Sequence, residues 1–224
     1  ASGQPRNMVS PTQVSELTRD LQALATRCVG RPLFIAVDAE GGRVMRLSPR
    51  LGYPPTLPAK ELGERDDPAF TQAEARRMGD MLREAGINWN LAPVVDVAVN
   101  PTNPAVVTLG RAYSSDPERV AAHAGAFVLG MHQAGVLTAL ADLDPERTQD
   151  GRKIATSVAA EQNAAVVRGG DAQARARVLV GGAAGHPARV RLRHPLQARQ
   201  DFLGCHAPLT ARVPASRPRS RARP

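Results

Sequence analysis

Aromatic side chains make up only 3% of this 224-residue chain: one Trp, two Tyr and four Phe. Any core must therefore be aliphatic and alanine-rich. Cysteine is equally scarce, with Cys28 and Cys205 far apart and no C-x-x-C or His/Cys cluster beside either. That spacing supports neither a disulfide framework nor a metal site, so two free thiols are expected; no cofactor is expected either. No apolar run approaches the roughly 18 residues of a membrane span, and no charged-then-apolar export signal opens the chain. The first residue is alanine rather than methionine, so an upstream segment is expected to be missing. No G-x-G-x-x-G and no Walker lysine loop follows a strand-like run, which counts against dinucleotide and nucleoside triphosphate sites.

What is present suffices for one sizeable core. The hydrophobic content is 42%, and the length falls a little short of the roughly 250 residues of a complete (β/α)8 barrel. The net charge of +8 is unevenly placed. Residues 1–140 carry thirteen Arg and one Lys against fourteen acids, and so balance; residues 141–224 carry fourteen Arg and one Lys against seven acids. From Ala172 onward there are eleven Arg and a single acid, Asp201. This asymmetry marks a boundary near residue 140.

The chain is organised around Leu33-Phe34-Ile35-Ala36-Val37-Asp38-Ala39-Glu40-Gly41-Gly42-Arg43-Val44-Met45-Arg46. Five apolar residues followed at once by acid, glycine and arginine read as a buried parallel strand running into a functional loop. Ligands of parallel α/β folds collect at the carboxyl ends of strands, which puts Asp38 where a polar substrate could be gripped, within reach of Arg46. An ordinary surface turn closed by a salt bridge fits the same residues equally well.

Around it, helices and strands alternate. Ser10-Pro11-Thr12-Gln13 starts a helix as N-cap, N1 proline and capping-box glutamine, with Val14, Leu17, Leu21 and Leu24 as its apolar stripe. The loop Leu47–Ala59, with four prolines, cannot be helical and suits a stiff crossing over a barrel mouth. Thr71-Gln72-Ala73-Glu74 reads as a second capping box, before a face of Ala75, Met78, Met81, Leu82 and Ala85 that Gly86 ends. A second strand is expected within Ile87–Val97, limited by Pro93 to an edge, end or bulge. Asp116-Pro117-Glu118 opens a third helix, buried through Val120, Ala124, Phe127, Val128 and Met131, and Val136–Leu140 reads as a third strand. Such alternation predicts parallel β/α units, as a barrel in preference to an open sheet.

Three motifs, Asp38 to Arg46, Gly86-Ile87-Asn88 through Leu91-Ala92-Pro93-Val94-Val95-Asp96-Val97, and Gly110-Arg111-Ala112-Tyr113-Ser114-Ser115-Asp116-Pro117, resemble in order and spacing the N-terminal barrel of family-3 glycoside hydrolases. With Arg6–Val14 they are most similar to its β-N-acetylhexosaminidase branch, over residues 6–140. The resemblance implies a partial TIM-type (β/α)8 barrel and retaining hydrolysis of terminal β-linked N-acetylglucosamine, as in peptidoglycan fragments, inside the cell or at its surface. It makes Asp38 the carboxylate that receives sugar hydroxyls, and Arg46 and Arg111 the arginines that complete the pocket. Glu40 is expected to hold the loop through backbone or arginine contacts, and Asp96 to serve either as a structural partner or in the site.

The resemblance then stops. Where the family continues Lys-His-Phe-Pro-Gly-His-Gly, with a lysine and histidine that bind the sugar, this chain has Ala141-Asp142-Leu143-Asp144-Pro145-Glu146-Arg147. The family's Asp-Ser-His acid/base loop and Ser-Asp-Asp-Leu nucleophile segment are also missing, so no catalytic residue is assigned. Alanine and arginine fill 31 of the 84 positions of residues 141–224. Neither helical nor strand period persists there, and Val178-Leu179-Val180 is too short to organise it, so a poorly structured basic tail is expected, of the kind a reading-frame shift in a GC-rich gene would produce. Two functions follow: a glycoside hydrolase that has lost activity, or a non-catalytic binder of amino sugars, or of polyanions through the tail. Nucleic acid is expected as a partner only nonspecifically, since no aromatics interleave with the arginines. A half barrel would also expose strand edges and associate or precipitate.

Overall fold

The computed structural model describes residues 7–142, residue 158 and residues 179–182. Helix α1 (Pro11–Val29) starts as its sequence requires: Ser10 Oγ accepts from the Gln13 N–H at 3.2 Å, and Gly30 closes it in the left-handed region at φ 69°. Gln13 closes the box one residue further out than expected, accepting from the Val9 N–H at 3.0 Å. The buried line of α1 is Val14, Thr18 and Ala25; Leu17, Leu21 and Leu24 are only half-buried. The helix is tied to Leu33 through the Gln22 amide and to the Ala85 carbonyl through the Thr18 hydroxyl, while its leucines find only partial cover.

That sheet is four-stranded and parallel, in the order β1 (Ala36–Val37), β4 (Trp89–Asn90), β5 (Leu137–Asp142), β6 (Leu179–Gly182). The expected strand at Leu33–Val37 shortens to two residues and is not buried throughout: Phe34 is 70% exposed while Val37 is buried. A strand with one face towards solvent alternates in exposure, whereas one covered on both faces does not. Asp38 is followed by a small antiparallel hairpin, β2 (Ala39–Gly41) and β3 (Val44–Met45), where an open loop was expected. Gly41 and Gly42, at φ 97° and 58°, make the reversal. A side chain on Gly41 would run into the Leu57 carbonyl.

The proline-rich segment contains a single tight turn at Pro49–Leu51, then the short helix α2 (Ala59–Arg65). Helix α3 (Pro68–Glu84) begins earlier than expected because Asp67, not Thr71, is its N-cap, accepting from the Phe70 N–H at 3.0 Å ahead of an N1 proline. Thr71 is buried inside the helix instead. Helix α4 (Pro117–Gln133) starts at Asp116 as expected and buries Val120, Ala124, Phe127, Val128 and Met131. α3 and α4 approach closely because Gly130 carries no Cβ; one there would strike the Gln72 carbonyl and lie 2.8 Å from Ala75 Cβ.

Beyond residue 140, β6 pairs in parallel with β5, Ala139 opposite Leu179 through Asp142 opposite Gly182. The expectation that Val178–Val180 was too short to organise anything is corrected to this extent. A strand beside β5 satisfies a ladder edge that burial would otherwise leave unpaired, a tertiary effect that short-range periodicity does not carry. The rest of the expected tail lies outside the described residues, apart from buried Val158. The expectation of two free thiols also needs correction: Cys28 is disulfide-bonded. Spacing arguments test only for local motifs and do not decide whether a given thiol is oxidised. Cys205 lies outside the described residues.

Candidate functional site

The carboxyl ends of β1 and β4 carry the polar cluster. β1 delivers Asp38, and the β2–β3 hairpin swings Arg46 back over it, so that the Arg46 N–H donates to the Asp38 carbonyl at 3.1 Å. The side chains meet as well: Arg46 Nη2 and Nε donate to Asp38 Oδ2 at 3.1 and 3.3 Å. Both bonds fall on one carboxylate oxygen, which leaves Oδ1 available as an acceptor. The pair is half-exposed, the side chains retaining 57% and 39% of their accessibility, so a ligand can reach it.

Glu40 makes a different pair. Arg111 Nε and Nη2 donate to its two oxygens at 2.7 and 2.6 Å, with 16% and 9% of the two side chains exposed. Parallel two-point contact of this kind is among the stronger charge-assisted arrangements. The Glu40 hydrogen bond raises the Arg111 pKa further above its usual value, against the cost of burial, with the fields of Glu40, Asp96 and Asp38 adding to it. Arg111 also donates to the Ala105 carbonyl at 3.1 Å, and Asn103 Oδ1 holds that loop by accepting from the Ala105 and Val106 N–H groups. Arg111 is thus fixed from two sides. Asp96 is buried at 1% exposure within the same electrostatic neighbourhood.

The structure therefore brings Asp38 and Arg46 into direct contact and places Arg111 one carboxylate away, through Glu40. A half-exposed acceptor flanked by guanidinium groups suits vicinal hydroxyls, each such charged hydrogen bond contributing roughly 1.5–3 kcal/mol. Among the described residues no three His, Cys, Asp or Glu side chains converge as metal ligands, and no helix is long and apolar enough to cross a membrane.

Two features of the site's surroundings were not anticipated from sequence. A groove of about 310 Å³ lies between α2 and the loop before α4, lined by Lys60, Glu64, Tyr113, Ser114 and Arg119 among others, and none of Asp38, Arg46 or Arg111 borders it. The second is Asn90, fully buried on β4, whose amide holds the backbone of Ala39 between the two acids. No local signal in the sequence marks this role, since Asn90 is the last residue of a two-residue strand that Asn88 already flanks.

Residues 2–142 match the model of the glycosyl hydrolase family 3 N terminal domain. A beta-hexosaminidase of Xanthomonas campestris pv. campestris is 39% identical over 137 residues, 58% of this chain and 38% of its own length. The crystal structure of a beta-N-acetylhexosaminidase from Beutenbergia cavernae is 38% identical with a TM-score of 0.51, over 62% of this chain and 42% of that one. A family 3 beta-N-acetylglucosaminidase structure from a Paenibacillus species is 36% identical with a TM-score of 0.57, over 60% and 25%. The chain thus spans less than half the length of these relatives. With the family model covering well over half of its residues, this chain belongs to glycoside hydrolase family 3, in its β-N-acetylhexosaminidase branch.

Proposed function

We propose that residues 1–140 form the sugar-binding part of a partial (β/α)8 barrel, which grips terminal β-linked N-acetylglucosamine at the Asp38 mouth. The observation that carries this reading is the half-exposed Asp38–Arg46 pair at the carboxyl end of β1, beside the buried Glu40–Arg111 pair. Asp38 accepts from sugar hydroxyls, Arg46 orients its carboxylate, and Arg111 borders the pocket. The parallel order β1-β4-β5-β6 supports the barrel arc. Retaining hydrolysis needs one group to protonate the leaving oxygen and another to attack the anomeric carbon. The segments that supply them in the family have no counterpart in this sequence, so the chain binds without turning over. The composition switch near residue 140 supports a frame shift, which sequencing of the gene there tests: Lys-His-Phe-Pro-Gly-His-Gly in another frame is the expected result, and its absence would defeat the idea.

Calorimetric titration with N-acetylglucosamine tests the binding reading. Asp38→Ala is expected to weaken binding by roughly ten- to a hundredfold, from the loss of charged hydrogen bonds of about 1.5–3 kcal/mol. An unchanged affinity removes Asp38 from the site. A chromogenic N-acetylglucosaminide should stay uncleaved, and turnover would overturn the loss of catalysis. The charge of residues 141–224 favours a second activity, retention of polyanions, which a salt gradient on heparin reads directly.

A further inference from the structure

Asn90 stands where the main chain of β4 stops supplying partners to β1. The last ladder bond runs from the Leu91 N–H to the Val37 carbonyl at 2.9 Å; the chain then turns through Ala92 and Pro93, and proline has no N–H to give. Ala39, two residues further along, is completely buried, so water cannot satisfy its backbone. The Asn90 side chain takes over: Oδ1 accepts from the Ala39 N–H at 3.0 Å, and Nδ2 donates to the Ala39 carbonyl at 2.8 Å. Nδ2 also lies 3.8 Å from Met131 Sδ on α4. Only one orientation of the amide satisfies both backbone groups, so it imitates one more residue of strand and fixes Ala39 at two points.

Asp38 and Glu40 are the neighbours of Ala39 on either side. We propose that Asn90 is a positioning residue, whose two-point grip on Ala39 sets both the ligand-facing Asp38–Arg46 pair and the buried Glu40–Arg111 pair. Its ligand readout rests on the reading of the Asp38 mouth as an amino-sugar site. The chain supplies its own control. Asn88 makes a comparable two-point contact ahead of β1, though on two residues instead of one, accepting from the Ile35 N–H at 2.8 Å and donating to the Leu33 carbonyl at 2.9 Å. A merely structural role predicts like consequences for the two asparagines; a positioning role does not.

The experiment compares Asn90→Leu with Asn88→Leu in the full chain, by melting temperature, by calorimetric affinity for N-acetylglucosamine, and by the 15N-resolved Arg111 Nε–H resonance. Asn90→Leu is expected to weaken sugar binding at least tenfold and to shift or broaden the Arg111 signal. Asn88→Leu should change affinity less than twofold at a similar loss of melting temperature and leave that signal in place. Equal effects of the two variants, or an Arg111 resonance unmoved by Asn90→Leu, would overturn the proposal. If the unmutated chain does not bind the sugar, the amino-sugar reading falls and the Arg111 signal alone decides the role of Asn90. Should Asn90→Leu not fold, Asn90→Thr, whose short hydroxyl cannot reach both backbone groups, replaces it. Amide exchange at Ala39 in the unmutated chain adds an independent check: protection as strong as at Val37 is expected, and fast exchange would overturn the grip itself.

Discussion

Two carboxylates separated by one residue are set to different roles by their surroundings. Asp38 keeps one oxygen available to a ligand, while Glu40 is enclosed and engages both oxygens with Arg111. Glu40→Gln would leave a guanidinium with 16% exposure beside a neutral amide, and breaking one partner of a buried pair costs about 3 kcal/mol. The urea midpoint should fall accordingly, and a loss below about 1 kcal/mol would mean that water replaces the pair readily. Gly41 is a second point of sensitivity, for steric reasons. At φ 97° an L-residue is strained, and its Cβ would meet the Leu57 carbonyl, so Gly41→Ala should cost more than the roughly 1–2 kcal/mol of the left-handed backbone alone. Denaturant titration checks this as well. The loop-holding role of Glu40 was expected from its place in the family motif, and Arg111 supplies the arginine contact. The grip of Asn90 was not, since nothing in residues 88–90 indicates that the β4 backbone ladder ends at Leu91.

Helix starts were more legible than strands. Ser10-Pro11 and Asp116-Pro117 announced α1 and α4 because a cap is a local contact between a side chain and N–H groups two or three residues on. Asp67-Pro68 carries the same signature as Asp116-Pro117, and the attraction of a capping box at Thr71 hid it. Thr71 serves the helix interface instead, where its hydroxyl meets His123 Nδ1 at 2.8 Å between α3 and α4. The strands failed for the opposite reason, because their length depends on neighbours remote in sequence. The His123 ring is fully buried, stacked on Tyr113 at 5.4 Å, with Asp66, Asp67 and Arg119 around it. Burial lowers its pKa below 6.5, outweighing the opposing pull of Asp66. The unfolded ring therefore takes up a proton near pH 6.5, and the folded ring only at lower pH. Within that window the unfolded state binds more protons, so this contribution to stability is complete above pH 6.5 and declines as pH falls towards the folded value. Burial acts on His132 in the same direction. His123→Gln should lower the stability at neutral pH yet flatten its fall as the pH drops below 6.5, leaving the slope due to His132. Urea midpoints measured across that range decide it, and an undiminished slope would clear His123 of the effect.

At the scale of the molecule, the alternation of helix and strand was readable because each β/α unit is a local pattern, whereas what lies beside the first strand is not written in that pattern. Among the described residues no strand pairs with the outer edge of β1. Next to that edge Phe34 is 70% exposed, its ring 5.9 Å from that of Trp89 in an edge-to-face contact. A strand edge presents N–H and C=O groups that another chain can pair with, and an exposed aromatic beside it adds apolar area that water disfavours. The two together favour association between copies of this chain through β1. Sedimentation velocity over a range of concentrations should show the population moving from monomer to larger species. Phe34→Lys places a charge beside the edge, the device by which natural sheets discourage such pairing, and should shift the population back to monomer without lowering the urea midpoint. High salt separates this route from one driven by the basic residues 141–224, because screening weakens charge-driven contact and leaves apolar pairing in place or strengthens it. A chain that stays monomeric at every concentration and melts cooperatively would show that the β1 edge is protected.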